Sequence, residues 1–339
     1  MGHPDEPGEI RFNPISGRWV IQAPDRSQRP RDFTGASPSA EPPAHDPGCP
    51  FCPGQEDQLL GILAEHRIAE APGWSVRVVP NRYPALDGRG TGPAQSVGPY
   101  QSMPAAGRHE VIIETPRHDL SLADLSQAEL ETVVDVYLQR YRALGADPVA
   151  SFVLLFHNHG ERAGTSLEHC HSQMIAMPFV PIEVTWRLAR LRAHHQQTGR
   201  CLVCDLAMHE TEAGSRVVEA TDSFLAVVPF CASSPMEIWI IPRRHTPSFA
   251  ALGETDISEL AHVYGQCLTA LRGAGQDPAF NVILHSPPPT DFDPSSSHWL
   301  LQVLPRSTTR AGLEIGVSVS INPSSPELDA ARLRKSLQG

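Results

Sequence analysis

An internal repeat constrains this fold more than any other feature of the sequence. Cys49-Pro50-Phe51-Cys52 and Cys201-Leu202-Val203-Cys204 are both C-x-x-C pairs, and the segments downstream of each agree in kind and order. An apolar run from Glu110 ends at His118; another, from Glu237, ends at His245 after the same step. Ser126-Gln127-Ala128-Glu129 reads as a capping box leading into a helix from Leu130 to Leu144, and its counterpart runs from Asp256 to Leu271. Strands are then expected at Ser151 to Phe156 and at Phe280 to Leu284, with a last strand beginning at His169 in one half and His298 in the other. Agreement of so many elements in order indicates a duplicated unit.

Each copy owns two cysteines and two histidines, giving two four-ligand sets: Cys49, Cys52, His118 and His169, then Cys201, Cys204, His245 and His298. Thiolate and imidazole in fours suit tetrahedral Zn²⁺, and a closed four-ligand site is usually structural. A single Cys₄ site joining both pairs is the alternative, though it leaves the repeated histidines unexplained. Seven cysteines, an odd number, do not suggest a disulfide framework.

The copies differ at His169-Cys170-His171-Ser172-Gln173. In extended backbone successive side chains alternate faces, so His169, His171 and Gln173 are expected to project together, with Cys170 and Ser172 behind. His171 corresponds to Leu300 and Gln173 to Gln302, so only the first half carries this second histidine. Upstream, Asn158 to Ser166 is a polar segment containing Gly160 and Gly164, read as a loop that can offer backbone N–H groups to a phosphate.

The formal charge of −11 argues against general nucleic-acid binding. Lys335 is the single lysine, which all but excludes lysine-based chemistry. No apolar run reaches the roughly 18 residues of a membrane span. Met1 to Glu6 shows no signal-peptide pattern, so a cytoplasmic location is expected. The proline-rich stretch from Arg29 to Pro47 reads as a surface loop.

The residues Arg11-Phe12-Asn13-Pro14, Gly17-Arg18-Trp19-Val20, Cys49 to Cys52, Asn81-Arg82-Tyr83-Pro84-Ala85-Leu86 and Asn158 through Gln173 together resemble the galactose-1-phosphate uridylyltransferase family, a duplicated branch of the histidine-triad superfamily. The resemblance implies an α+β fold of two histidine-triad-like halves, 1–180 and 181–339, each an antiparallel sheet packed by helices. It implies double displacement: a histidine, here His171, takes the NMP of a nucleoside-diphosphate sugar and passes it to a hexose-1-phosphate or phosphate. Gln173 would donate a hydrogen bond to the phosphoryl group, where a third histidine marks the hydrolytic relatives. Ser166 and the Asn158 to Thr165 segment, Gly164 included, would meet phosphate oxygens. Arg26 and Arg29 would approach the nucleotide's phosphate or ribose, and Asn81 its base. The resemblance also implies a homodimer.

This chain departs from the best-known uridylyltransferases, which have proline between the motif histidines and glycine after the second; here stand Cys170 and Ser172. Their base-contacting asparagine is followed by aspartate, whereas Asn81 is followed by Arg82. Both departures leave the donor open between UDP-glucose and ADP-glucose. The run Ser166 to Gln173, with Ala311 to Gly316 and Ile321-Asn322-Pro323, looks more like the ADP-glucose phosphorylase branch, which passes AMP to inorganic phosphate. Two other classes compete: a histidine-triad hydrolase of dinucleotides or phosphoramidates, which Gln173 disfavours, and a non-catalytic zinc-binding protein, which has no need of His171.

Overall fold

The computed structural model describes residues 8–23, 42–68, 73–90, 92–275 and 278–338. In the first half β1 (Glu9–Phe12) and β2 (Trp19–Gln22) form a hairpin, followed by β3 (Ala64–His66), β4 (Val76–Pro80), the β5–β6 hairpin (Gln95–Val97, Tyr100–Ser102) and β7 (Arg108–Ile113). Helix α1 (Gln127–Gly145), β8 (Phe152–His159) and β9 (His171–Met177) complete it. The chain continues through α2 (Ile182–Thr198), α3 (Leu202–Ala213), β10 (Val217–Ala220), β11 (Phe224–Val227), β12 (Ile238–Pro242), α4 (Ile257–Ala274), β13 (Phe280–His285) and β14 (Leu300–Pro305), then α5 (Gly312–Val317), β15 (Ser320–Asn322) and α6 (Pro326–Ser336).

The two expected sheets are one. Ten strands run β10-β11-β12-β14-β13-β8-β9-β7-β4-β3, every neighbour antiparallel, and the order reads the same for both copies outward from the β8–β13 seam. At that seam Phe156 faces Ile283 and Asn158 faces Asn281. The duplication is thus a pseudo-twofold relation within a single sheet.

Register also corrects the repeat. Val111 lies opposite Gln173, and Trp239 opposite Gln302. Glu237 therefore occupies the place of His109, not of Glu110, so the equal step from glutamate to histidine was a coincidence of the sequence. The side-chain partners agree: Arg140 binds Glu110 from the helical side at 2.6 and 2.8 Å, while Gln302 on the opposite face donates to Glu237.

Helix α1 starts where the capping box was expected, Ser126 accepting from Glu129 N–H. Its buried residues Leu130, Val133, Val134, Tyr137, Leu138, Tyr141 and Leu144 recur at helical spacing. They close, with α4 and α6, the main core over one sheet face. On the other face, α2 and α3 cover the second half with Leu191, Leu202, Val203 and Ala207. The first half has instead a small cluster around Cys49, Phe51, Cys52 and Trp74.

Gly107, entering β7, has no room for a side chain: a Cβ there would stand 2.5 Å from the Ala176 carbonyl oxygen and 2.8 Å from Leu86. A Gly107→Ala variant is expected to lose about 1–3 kcal/mol of stability, read as a lowered urea midpoint. An unchanged midpoint would contradict this packing.

Candidate functional site

The first ligand set assembles as expected. Cys52 Sγ lies 3.6 Å from both His118 Nδ1 and His169 Nδ1, and Cys49 Sγ lies 3.7 Å from His169 Nδ1. A tetrahedral zinc with ordinary Zn–S and Zn–N bonds separates sulfur from nitrogen by about 3.6 Å. His169 Nε2 donates to the Thr115 carbonyl at 2.8 Å, which leaves Nδ1 as the free lone pair. Burial pushes the Cys49 thiol up to about 11, so a thiolate there calls for a cation.

The second set repeats the geometry. Cys204 Sγ is 3.5 Å from His245 Nδ1 and 3.4 Å from His298 Nδ1, Cys201 Sγ 3.7 Å from His298 Nδ1. Each histidine pair meets edge to face, at 5.3 Å and 87° in one site and 5.4 Å and 88° in the other. In each set all four ligand atoms lie within 4.8 Å of one another. The two pairs serve separate clusters, so the Cys₄ alternative is not formed.

The ligand histidines do not open the strands. His169 and His298 stand just before β9 and β14, which begin at His171 and Leu300. His169 must turn its ring toward the C-x-x-C loop, and its carbonyl accepts from His171 Nδ1 at 2.8 Å, outside any sheet ladder.

That bond fixes the chemistry of His171. With its proton on Nδ1, the ring keeps a lone pair on Nε2, the atom available for attack. Burial lowers its pKa below the ordinary value, which keeps the imidazole neutral near pH 7. Phe51, between the two cysteines, packs edge-on against His171 at 5.2 Å between ring centroids. The metal loop thereby touches the candidate nucleophile.

Gln173 follows on the same face. His109, which the sequence reading passed over, accepts from Ala85 N–H at Nδ1 (3.1 Å), so its Nε2–H donates to Gln173 Oε1 at 2.8 Å. Asn81 donates to the same oxygen at 3.4 Å, while its own Oδ1 accepts from Tyr83 N–H at 2.8 Å. The Gln173 carbonyl is thus occupied, and its NH₂ remains to donate. His109 could have been found as the residue diagonal to Gln173 once β7 and β9 were paired.

The expected phosphate loop is partly strand. Asn158 belongs to β8, on the face of Gln173, and its Oδ1 accepts from Asn281 of the second half at 2.7 Å. Asn281 also donates to the Ala163 carbonyl at 2.9 Å, tying the turn after β8. Gly164 closes a short 3₁₀ turn at φ 90°, and Thr165 Oγ1 donates to the Leu167 carbonyl at 2.8 Å. Ser166 is exposed. Arg26 and Arg29 lie outside the described residues.

Cys170 and Ser172 do point away, into the main core. There Glu114, 1% exposed, accepts from Cys170 Sγ at 2.9 Å and from the Ser172 and Tyr137 hydroxyls, with His157 Nδ1 at 3.3 Å. Burial opposes ionising Glu114, but His157 and these donors hold its carboxyl below its ordinary pKa. Cys170 and Ser172, two of the three residues that depart from the uridylyltransferase pattern, therefore serve this buried carboxylate on the face opposite His171 and Gln173.

In the second half the matching polar chain runs differently. Arg187 Nη1 donates to His285 Nδ1 at 2.5 Å, His285 Nε2 donates to Gln302 Oε1 at 2.7 Å, and Gln302 donates to Glu237 Oε1 at 2.7 Å. The Gln302 amide is consumed, whereas that of Gln173 has no acceptor among the described residues. Burial, then Arg187, push the His285 pKa down to about 3. A histidine with a depressed folded pKa binds more protons when unfolded, so its contribution is complete above about pH 6.5 and drains as pH falls toward the folded value. The urea stability of wild type should drop by a few kcal/mol more than that of His285→Gln between pH 7 and 4. Parallel pH curves for the two proteins would refute the buried neutral ring.

Among the described residues no helix is long and apolar enough to cross a membrane.

Known proteins share this architecture. Residues 4–181 match the galactose-1-phosphate uridyl transferase N-terminal domain and residues 188–280 its C-terminal domain. The ADP-glucose phosphorylase of Arabidopsis thaliana is 33% identical over 334 residues, covering 96% of this chain and 92% of its own. The galactose-1-phosphate uridylyltransferase of Thermotoga maritima is 28% identical over 338 residues, 96% and 98% of the two chains. The crystal structure of the Arabidopsis ADP-glucose phosphorylase with bound ADP-glucose superposes with a TM-score of 0.83 at 30% identity, covering 97% of this chain and 99% of that one. The chain belongs to the galactose-1-phosphate uridylyltransferase family of nucleotidyltransferases.

Proposed function

We propose that this chain moves AMP from ADP-glucose to inorganic phosphate through a nucleotidyl-His171 intermediate. The observation that carries the chemistry is the pair formed by His171 and Gln173: a neutral imidazole with its proton on Nδ1, and beside it an amide whose carbonyl is occupied and whose NH₂ has no acceptor among the described residues. Likeness to the Arabidopsis ADP-glucose phosphorylase, greater than to the Thermotoga uridylyltransferase, supports adenine over uracil.

In the first step His171 Nε2 bonds to the α-phosphorus as the bond to glucose-1-phosphate breaks, and the sugar phosphate leaves with the electron pair. The ring becomes cationic, and the His169 carbonyl accepting from Nδ1–H stabilises it. Gln173 donates to a phosphoryl oxygen but cannot exchange a proton with an attacking water, which favours transfer over hydrolysis. In the second step a phosphate oxygen takes the phosphorus, ADP departs and neutral His171 is restored.

Both ligand sets fit zinc by donor type and spacing, and with four protein ligands each they have no open position for substrate. We assign them two structural Zn²⁺ per chain. Zinc in the first set would hold the Cys49 to Cys52 loop, with Phe51, against His171. The division near residue 180, a homodimer and a cytoplasmic location belong to the same proposal.

The test is incubation with ADP-glucose or UDP-glucose labelled in the α-phosphate, followed by denaturation and detection of label on protein. Labelling from ADP-glucose, with ADP released on adding phosphate, is expected. Labelling from UDP-glucose alone would overturn the donor. Steady hydrolysis of either donor without labelled protein would favour the hydrolase.

A further inference from the structure

The second half has lost the nucleophile but not the space. On the sheet face that carries His171 and Gln173 in the first copy, a cavity of about 390 Å³ opens over Leu300, Gln302 and Leu304. Its volume falls in the range that accepts a small organic ligand. Arg187 lines it, held by His285 and by the Ser286 carbonyl at 3.2 Å. Both partners are neutral. Among the described residues no carboxylate lies within ion-pair distance of Arg187, and burial pulls its pKa down to about 10, which leaves it cationic at neutral pH. Half-buried in the cavity wall, this guanidinium has no carboxylate counter-charge among the described residues.

None of the cavity's carboxylates forms an ion pair with Arg187 among the described residues. Four arginines (Arg18, Arg187, Arg306 and Arg310) face three glutamates (Glu183, Glu237 and Glu314). Glu237 is already engaged by Ser233, Trp239 and Gln302. Glu314 accepts from Ala311 N–H at 2.9 Å. Two indoles, Trp186 and Trp239, add flat apolar surface on which a ring can lie.

We propose that this cavity is a second ligand site, one that takes a phosphate monoester carried on a ring, a hexose phosphate or a nucleoside monophosphate, with Arg187 as the partner of its anion. With Leu300 in the position of His171, the site binds without reacting. It is independent of the donor assigned to the first half.

Equilibrium dialysis of the zinc-loaded full chain against labelled AMP, glucose-1-phosphate and inorganic phosphate tests it. At least one of the two monoesters should show an equivalent per chain that Arg187→Gln weakens tenfold or more. Leu304→Trp, which fills the cavity and keeps the arginine, should remove the same equivalent if Arg187→Gln fails to fold. Labelling of His171 by ADP-glucose should be unchanged in both variants. The proposal fails if monoester binding is the same in wild type and in whichever variants fold. It fails equally if only inorganic phosphate binding depends on Arg187.

Discussion

Replacing His171 by asparagine should end nucleotidyl transfer while leaving the fold in place. The loss expected on removing a covalent nucleophile is on the order of 10⁴-fold or more in kcat, and no label should remain on the denatured protein. Asparagine can still offer a donor to the His169 carbonyl, so the strand before β9 keeps its tie. The ring of Phe51 loses its edge contact, a cost of about 1 kcal/mol. A His171→Asn protein that still becomes labelled from ADP-glucose would transfer the role to another residue and overturn the assignment.

The second large effect separates the two Cys/His clusters proposed to hold zinc. Structural zinc contributes about 10 kcal/mol or more of binding free energy that is also folding free energy, so Cys52→Ser and Cys204→Ser should each fall to one zinc per chain and melt well below wild type. They should differ in chemistry. Cys52 stands beside His118 and His169, one residue from the Phe51 that packs on His171, so its loss should abolish labelling even in the folded fraction. Cys204 belongs to the cluster that anchors α3 and leads into β14, so labelling per folded molecule should survive. Equal loss of labelling in both variants would remove the link between the first metal and the nucleophile, and two zincs retained in either would remove its cysteine from the ligand set.

Much of this was legible in the sequence because it is local. The capping box at Ser126, the apolar periodicity of α1 and the alternation from His171 to Met177 are written in neighbouring residues, and the repeat doubled the weight of each. The gathering of the two Cys/His clusters was legible for the same reason, since matching order in two copies stands in for contact. What was not legible depends on partners far apart in the chain. Pairing of β8 with β13, which merges two sheets into one, has no local signature. Neither has the meeting of His109 with Gln173, or of Glu114 with Cys170 and Ser172. The one-residue slip between Glu110 and Glu237 arises because apolar runs alone do not fix register. Side chains alternate with period two, so a shift of one put a core-facing carboxylate in register with one on the opposite face.

The seam between the halves also bears on what a shorter protein could do. Cut near residue 180, the first copy would keep its motif and its Cys/His cluster but expose the second half of β8, with Phe156, His157, Asn158 and His159 stripped of their antiparallel neighbours. An uncovered strand of that kind invites other chains to pair with it. Asn281 would be gone too, and with it the tie that holds Asn158 and the turn at Ala163. The second copy is in this sense a permanent neighbour supplied in cis, one that covers the edge the first copy would otherwise offer to other chains.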